Sequence, residues 1–274
     1  SLRDANLAFF GGSHGIGRAA ALQIAARGAS VLIVGRGAAA GASTVQALRT
    51  AGAAHADFVA ADLSTLGGMK AAADAVLAWR PRLHGVMHTA MSALREKKFT
   101  ADGLEFAFAL QYMARATLNR LLLDALAASG DGRIVHIAGN VPGLLKVNLD
   151  DLQFERTRWG FFKAVLGTHV LGYLHAQEAA RRWQQLPVSI ALSCVGSTRT
   201  KAMLDPEMPL IMRAMGRFGT SPERSTVNAV RLLTQGSAAG VSGTILRSPG
   251  RYAPAPLRLA AADAQRLWTL TSEL

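Results

Sequence analysis

The stretch GGSHGIGRA, residues 11–19, sets glycines at 11, 15 and 17 between a short apolar run and an alanine-rich one. Glycine allows a tight turn, and it lets an anion approach the backbone N–H groups at the start of a helix; a diphosphate fits such a turn. Gly11, Ser13, His14, Gly15, Ile16, Gly17 and Arg18 are the residues expected around it. The second apolar run ends at VGRG, 34–37, where a reader of ribose hydroxyls places a carboxylate. Arg36 stands there instead, and no carboxylate occurs from 31 through 50. A planar guanidinium suits a 2′-phosphate, with Arg18 able to assist, so these residues favour NADP(H) over NAD(H).

The elements that must position this turn follow from the hydropathy rhythm. Short aliphatic runs at 6–10, 30–35, 57–62, 85–90, 133–138, 188–193 and 244–246 read as strands. Segments with apolar residues at helical spacing fill most gaps, at 16–28, 40–52, 67–79, 102–128, 159–184 and 222–235. This alternation predicts an α/β fold: a Rossmann-type, doubly wound parallel sheet of about seven strands with helices on both faces, in one domain over 1–274. Residues 201–221 break the rhythm with four methionines and two prolines; they read as an adaptable flap over a substrate pocket or as an ordinary packed helix with its loop. The end, 263–274, reads as a short helix docking Leu267, Trp268 and Leu270.

Bulk properties exclude several classes. Half the 274 residues are hydrophobic, which excludes a disordered chain, and no apolar run approaches the roughly 18 residues of a membrane-spanning helix. The N-terminus lacks the pattern of a signal peptide. One cysteine, Cys194, excludes an internal disulfide framework and fits a reducing cytoplasm. The net charge of +12 comes from scattered arginines, and the densest basic cluster, LREKK at 94–98, contains an acid. A nucleic-acid partner is therefore not expected, and neither is a membrane partner.

With these residues in hand, the chain resembles the short-chain dehydrogenases/reductases over nearly its whole length. It is most similar to the branch of retinol dehydrogenases and protochlorophyllide reductase, through FTADGLEFAFAL (99–110), NLDDLQFE (148–155), AQEAARRW (176–183) and the RLWTLTSEL end. The resemblance implies that Gly11, Gly15 and Gly17 form the family's glycine turn, with Phe10 in place of its threonine. Asp62 in ADLS, followed by Leu63, matches the aspartate beside the adenine. His88, Thr89 and Ala90 stand for the Asn-Asn-Ala-Gly motif, and Gly196 and Thr200 in VGSTRT would face the nicotinamide carboxamide, although Val195 departs from the family's proline. It also implies a homodimer or homotetramer formed through the helices at 102–128 and 159–184.

The family's catalytic group is Asn, Ser, Tyr and Lys, with tyrosine and lysine four apart so that the ammonium lowers the phenol pKa. Carried over, lysine falls on Lys163, tyrosine on Trp159, serine on Ala138 or Gly139, and asparagine on Gln111. Four residues beyond Tyr112, Tyr173 and Tyr252 lie Ala116, Gln177 and Pro256, so no Tyr-x-x-x-Lys exists anywhere. An indole N–H donates a hydrogen bond but does not release its proton near neutral pH. The expectation is an atypical NADP(H)-dependent oxidoreductase acting on an apolar or conjugated small molecule. Tyr112, His136, His88 and Asn140 are the candidate substitutes for the missing acid. Two alternatives stay open: a non-redox cyclase or isomerase of natural-product assembly, and an inactive nucleotide-binding partner protein.

Overall fold

A parallel sheet grows from the alternation of β-branched runs and helical segments, because each strand needs a helical crossover to reach its parallel neighbour. The computed structural model describes residues 2–91, 94–141, 145–206, 208–235 and 239–273. The strands are β1 (Asn6–Phe10), β2 (Ser30–Gly35), β3 (His55–Ala60), β4 (Gly85–His88), β5 (Gly132–Ala138), β6 (Val188–Cys194), β7 (Thr244–Leu246) and β8 (Ala255–Pro256). They form one sheet in the order β3-β2-β1-β4-β5-β6-β7-β8. Every pairing is parallel except β7 with β8, a two-residue antiparallel edge that the sequence rhythm did not predict. The chain winds outward in both directions from β1 and β4, so a crevice opens at their carboxyl ends.

Helices α1 (Gly15–Ala25), α2 (Ala38–Ala51) and α3 (Leu66–Trp79) lie close to their expected bounds. The helix expected over 102–128 is broken. It runs as α4 (Phe106–Phe108), a π-helical turn (Ala109–Met113), α5 (Ala114–Leu121) and α6 (Leu123–Ala127). The long α7 (Phe161–Arg182) crosses back to β6. Beyond β6 come α8 (Lys201–Leu204), α9 (Leu210–Arg217), α10 (Pro222–Ser225) and α11 (Val227–Thr234), so the segment 201–221, residue 207 apart, holds two short helices. The last helix, α12 (Ala261–Leu270), docks Leu267, which is fully buried.

Two apolar layers flank the sheet. One joins α3, the broken helix, α7 and α12 around Leu32, Phe108 and Leu192; the other joins α1, α2 and α11 around Phe9, Ile33 and Val135. Adjacent residues of a strand point to opposite layers, as Phe9 and Phe10 do.

Candidate active site

The glycine turn closes β1 onto α1 and β4 at once. Gly11 has φ +94° and Gly15 φ +51°, the left-handed region that glycine enters without penalty. A Cβ on Gly11 would lie 2.5 Å from the Ala90 backbone nitrogen, and one on Gly17 would lie 2.4 Å from the Gly11 carbonyl oxygen. The Thr89 hydroxyl donates to the carbonyls of Phe10 and Gly11, at 3.1 and 3.0 Å, tying β4 to the turn. Helix α1 starts at an exposed His14 whose side chain does not cap it, and no acid stands in its first turn. Its first N–H groups, including those around Ile16, therefore carry the partial positive charge that suits a phosphate.

Of the residues expected around a nucleotide, Thr89, Ala90 and Thr200 meet this turn. Thr200 places its Cγ2 3.1 Å from the Cβ that Gly15 lacks, bringing the chain after β6 against the start of α1. Ser13 Oγ lies 3.2 Å from the missing Cβ of Gly35, at the end of β2, and Arg36 follows exposed. Arg18 is half-buried on α1. Exposed Asp62 accepts from Ser64 N and Oγ at 3.0 and 2.8 Å, a local turn that buries Leu63 and leads to the Thr65 cap of α3. Gly196 adopts φ +64° beyond β6. A dinucleotide fits these residues: the glycines leave space that any Cβ would fill, and the helix start has no side-chain anion of its own.

The other side of the crevice is arranged differently from the sequence expectation. The helical side chain that meets the end of β5 is His169, whose Nε2 lies 3.2 Å from the Cβ position of Gly139. Four residues on, Tyr173 donates its phenol hydrogen to the Gly139 carbonyl and lies 3.9 Å from Cys194 Sγ. Lys163 is exposed and precedes His169 by six residues, about 9 Å along the helix axis. Trp159 stands before α7 begins, and its Nε1 donates to Glu105 Oε1 at 3.1 Å. The structure does not bring Trp159 or Lys163 to Gly139. Six residues turn a helix by about 600°, which leaves Lys163 roughly 120° off the face that His169 presents to Gly139, and Trp159 precedes the helix altogether.

Trp159 does line a cleft, together with Glu105, Phe106, Ala107, Ala164 and Val165. Val165, at one end of this cleft, and His169 are four apart and share a face of α7. Gln111 sits in the π-helical turn, buried, and accepts from Thr168 Oγ1 at 3.3 Å. Such turns widen a helix locally and are frequent at functional sites. Arg115, one turn further, is buried and donates to the Ile137 carbonyl at 2.8 Å; burial lowers its pKa to about 10. Burial, with Arg115 adding to it, lowers the His169 pKa to about 3, so its imidazole is neutral at physiological pH.

The candidate substitutes for the acid are turned elsewhere. Tyr112 is buried against Thr271, 3.1 Å from its hydroxyl, and burial raises its pKa. His88 and His136, paired across β4 and β5, meet Asn119 inside the helical layer. The Asn119 Oδ1 accepts from His88 Nε2 at 2.9 Å, and its Nδ2 donates to Nε2 of His136 at 3.0 Å and of His175 at 3.2 Å. Asn140 donates to the Arg247 carbonyl. Sequence reasoning missed His169, Tyr173, Asn119 and His175. A signal existed for the first two, since any titratable pair four apart on the predicted helix includes His169-x-x-x-Tyr173.

The short chain dehydrogenase profile matches residues 7–145, half of the chain. The chain belongs to the short chain dehydrogenase family. It is 25% identical to human retinol dehydrogenase 12 over 266 residues, covering 96% of this chain and 84% of that protein. It is 32% identical over 174 residues to a protein of Streptomyces sp. (strain C5) provisionally named daunorubicin C-13 ketoreductase DnrU, covering 63% of this chain and 59% of that one. A solved structure of levodione reductase superposes with a TM-score of 0.72 at 18% identity, covering 91% of this chain and 98% of that one, which shows the shared fold. Membership implies an oxidoreductase scaffold with a nicotinamide cofactor. Among the described residues, no helix is long and apolar enough to cross a membrane.

Proposed function

We propose that this chain is an NADP(H)-dependent oxidoreductase of an apolar or conjugated small molecule that works without the family's phenol and serine hydroxyl. The observation that carries the reading is the meeting of His169 with Gly139 beside a complete glycine cradle. Gly11, Gly15 and Gly17 would hold the diphosphate, Arg36 with Arg18 the 2′-phosphate, Asp62 and Leu63 the adenine, and Thr89, Ala90, Gly196 and Thr200 the nicotinamide end. The bound dinucleotide supplies or accepts the hydride.

The protein's own part is then to orient the substrate and exclude water. The cleft along Trp159 and Val165 offers an apolar wall, and His169 offers a neutral hydrogen-bonding group at the end of β5. A neutral imidazole polarises a carbonyl weakly and gives up its proton reluctantly. A substrate whose reduced form is stabilised by conjugation, such as an enone or quinone, needs no stronger acid. The names of two relatives, a retinol dehydrogenase and a provisionally named daunorubicin C-13 ketoreductase, agree with oxidation or reduction of a small molecule.

Following NADPH oxidation against a panel of enones, quinones and simple ketones tests this reading. Turnover with the conjugated members and little with simple ketones is expected. Arg36→Ala should weaken NADPH binding roughly tenfold while leaving NADH nearly unchanged. A chain that binds neither dinucleotide and oxidises neither with any member of the panel contradicts the proposal.

A further inference from the structure

Among the described residues, Arg115 is a buried cation with no anion beside it. It stands on α5, four residues after Gln111 of the π-helical turn, and 4% of its surface is exposed. Its Nη1 donates to the Ile137 carbonyl at 2.8 Å, while its Nε is buried and makes no hydrogen bond. None of the ion pairs among the described residues includes it. His88, His136 and His169, which feel its charge, are themselves kept neutral by burial. A guanidinium carries several N–H donors in a rigid fork, and burying its charge without an anion is costly. One hydrogen bond to a backbone carbonyl does not call for a full charge; a neutral donor serves as well.

The place of Arg115 gives that charge a use. Ile137 precedes Gly139 by two residues, and Gly139 is where His169 Nε2 comes within 3.2 Å of a Cβ position. Thr168, the residue before His169 on α7, donates to Gln111. Arg115 and His169 therefore flank the end of β5 from two helices, on the reacting side of the crevice. Lys163 is exposed and lies off that face, and Tyr173 spends its hydrogen on the Gly139 carbonyl. So little of Arg115 is open that a single oxygen atom suits it better than a phosphate or carboxylate group. The diphosphate of a dinucleotide belongs to the glycine turn, at the other end of the crevice.

We propose that Arg115 holds the oxyanion that a conjugated carbonyl substrate becomes on reduction, so that the substrate is an α,β-unsaturated ketone or quinone bound with its oxygen toward the end of β5. When a hydride from the dinucleotide adds to the β-carbon of an enone, a C–H bond forms there. The C=C pair shifts toward the carbonyl carbon, and the carbonyl π pair settles on oxygen as an enolate. The dinucleotide is oxidised, the substrate is reduced, and solvent later returns a proton to the α-carbon. The guanidinium meets the enolate oxygen with a charge-assisted hydrogen bond. A negative charge stabilised in place needs no acid to neutralise it, which suits a site without the family's phenol. The assignment rests on the oxidoreductase reading and adds to it the charge of the reduced substrate.

Titration of the purified chain, saturated with NADP+, with 4-nitrophenol tests it, because absorbance separates the phenol from the phenolate. The wild type should bind the phenolate about tenfold more tightly than the phenol, lowering the pKa of the bound probe by about one unit. Arg115→Met should abolish that preference, with the bound NADP+ controlling for the charge of the nicotinamide ring; Arg115→Lys should keep part of it. NADPH-driven reduction of an enone should fall about a hundredfold in Arg115→Met. Thermal melting checks the fold; should Arg115→Met unfold, the wild-type shift and Arg115→Lys still decide. A wild-type chain that binds no nitrophenol or binds it neutral overturns the proposal, and so does a preference that survives in folded Arg115→Met. Enone turnover without phenolate preference also overturns it and leaves the oxidoreductase reading standing. Phenolate preference lost in Arg115→Met, without turnover of any enone or quinone, upholds the oxyanion site and sinks that reading.

Discussion

The two halves of the crevice obey different rules. On the β1–β2 side, backbone does the work: Gly11 and Gly17 meet β4 and the turn itself at distances that leave no room for a Cβ, beside a helix start. On the β5–α7 side, side chains do it, and there a glycine, a neutral histidine and a tyrosine bound to a carbonyl stand in one group. A backbone cradle tolerates almost no substitution, because each atom's place is set by the fold. A side-chain site can exchange its chemistry while the fold stays, since only a few helix-face positions must change. The lesson is that cofactor binding and acid–base chemistry are separable properties of this scaffold.

The widest separation between the halves should come from Gly17→Val. Its Cβ would fall 2.4 Å from the Gly11 carbonyl and 2.5 Å from Thr89 Oγ1. Dinucleotide affinity should fall by at least about a hundredfold, together with a loss of roughly 2–4 kcal/mol in stability, read by titration and by denaturant unfolding.

Next comes the buried histidine group behind the reacting side. Burial lowers the pKa of His88 and His175 to about 3, as it does for His169, and pushes His136 well below its usual value. The unfolded chain takes up these protons near pH 6.5 while the folded protein resists them. Stability is therefore full above that pH and drains away as pH falls from about 6.5 toward 3, by up to ~1.4 kcal/mol per unit for each histidine. Melting temperature should drop steeply across that window. Asn119→Leu leaves three ring nitrogens without their amide; it should cost about 2–4 kcal/mol at neutral pH without changing dinucleotide affinity. Unchanged melting between pH 6.5 and 4 would contradict the neutral network.

A smaller effect sharpens the contrast at the reacting side itself. Gly139→Ser adds a Cβ 3.2 Å from His169 Nε2, a tight contact that costs about 1 kcal/mol. The penalty should vanish when His169→Ala is combined with it, so a double-mutant cycle gives a coupling near the full single-mutant cost. Smallest of all, Trp159→Phe removes one hydrogen bond to Glu105 and should cost about 0.5–1.5 kcal/mol, with no coupling to Gly139.

Which parts were legible in the sequence follows from how local each signal is. β1, β2 and β7 lie at the bounds that hydropathy predicts, and the glycine turn lies where strand meets helix, because both signals are carried by a few adjacent residues. The strand expected at 57–62 instead runs His55–Ala60, since pairing with β2 fixes its ends rather than its own composition. The reacting side was harder. Lys163, four residues after an aromatic, offers a familiar local pattern, but which face of α7 meets Gly139 is decided by packing against β5, which brings His169 there. Asn119 has no local signal at all; its role arises because β4, β5 and α7 bring three histidines around it. The π-helical turn at Ala109–Met113 was equally hidden, since it shifts a helix by one residue without altering the apolar rhythm.

A crystal structure of the protein with NADPH tests the separation of cradle and chemistry most directly. The account predicts the diphosphate on the turn from Gly11 to Gly17 and His169 as the α7 side chain nearest the nicotinamide ring. Density showing Trp159 or Lys163 against that ring, or a dinucleotide bound away from the glycine turn, would contradict it.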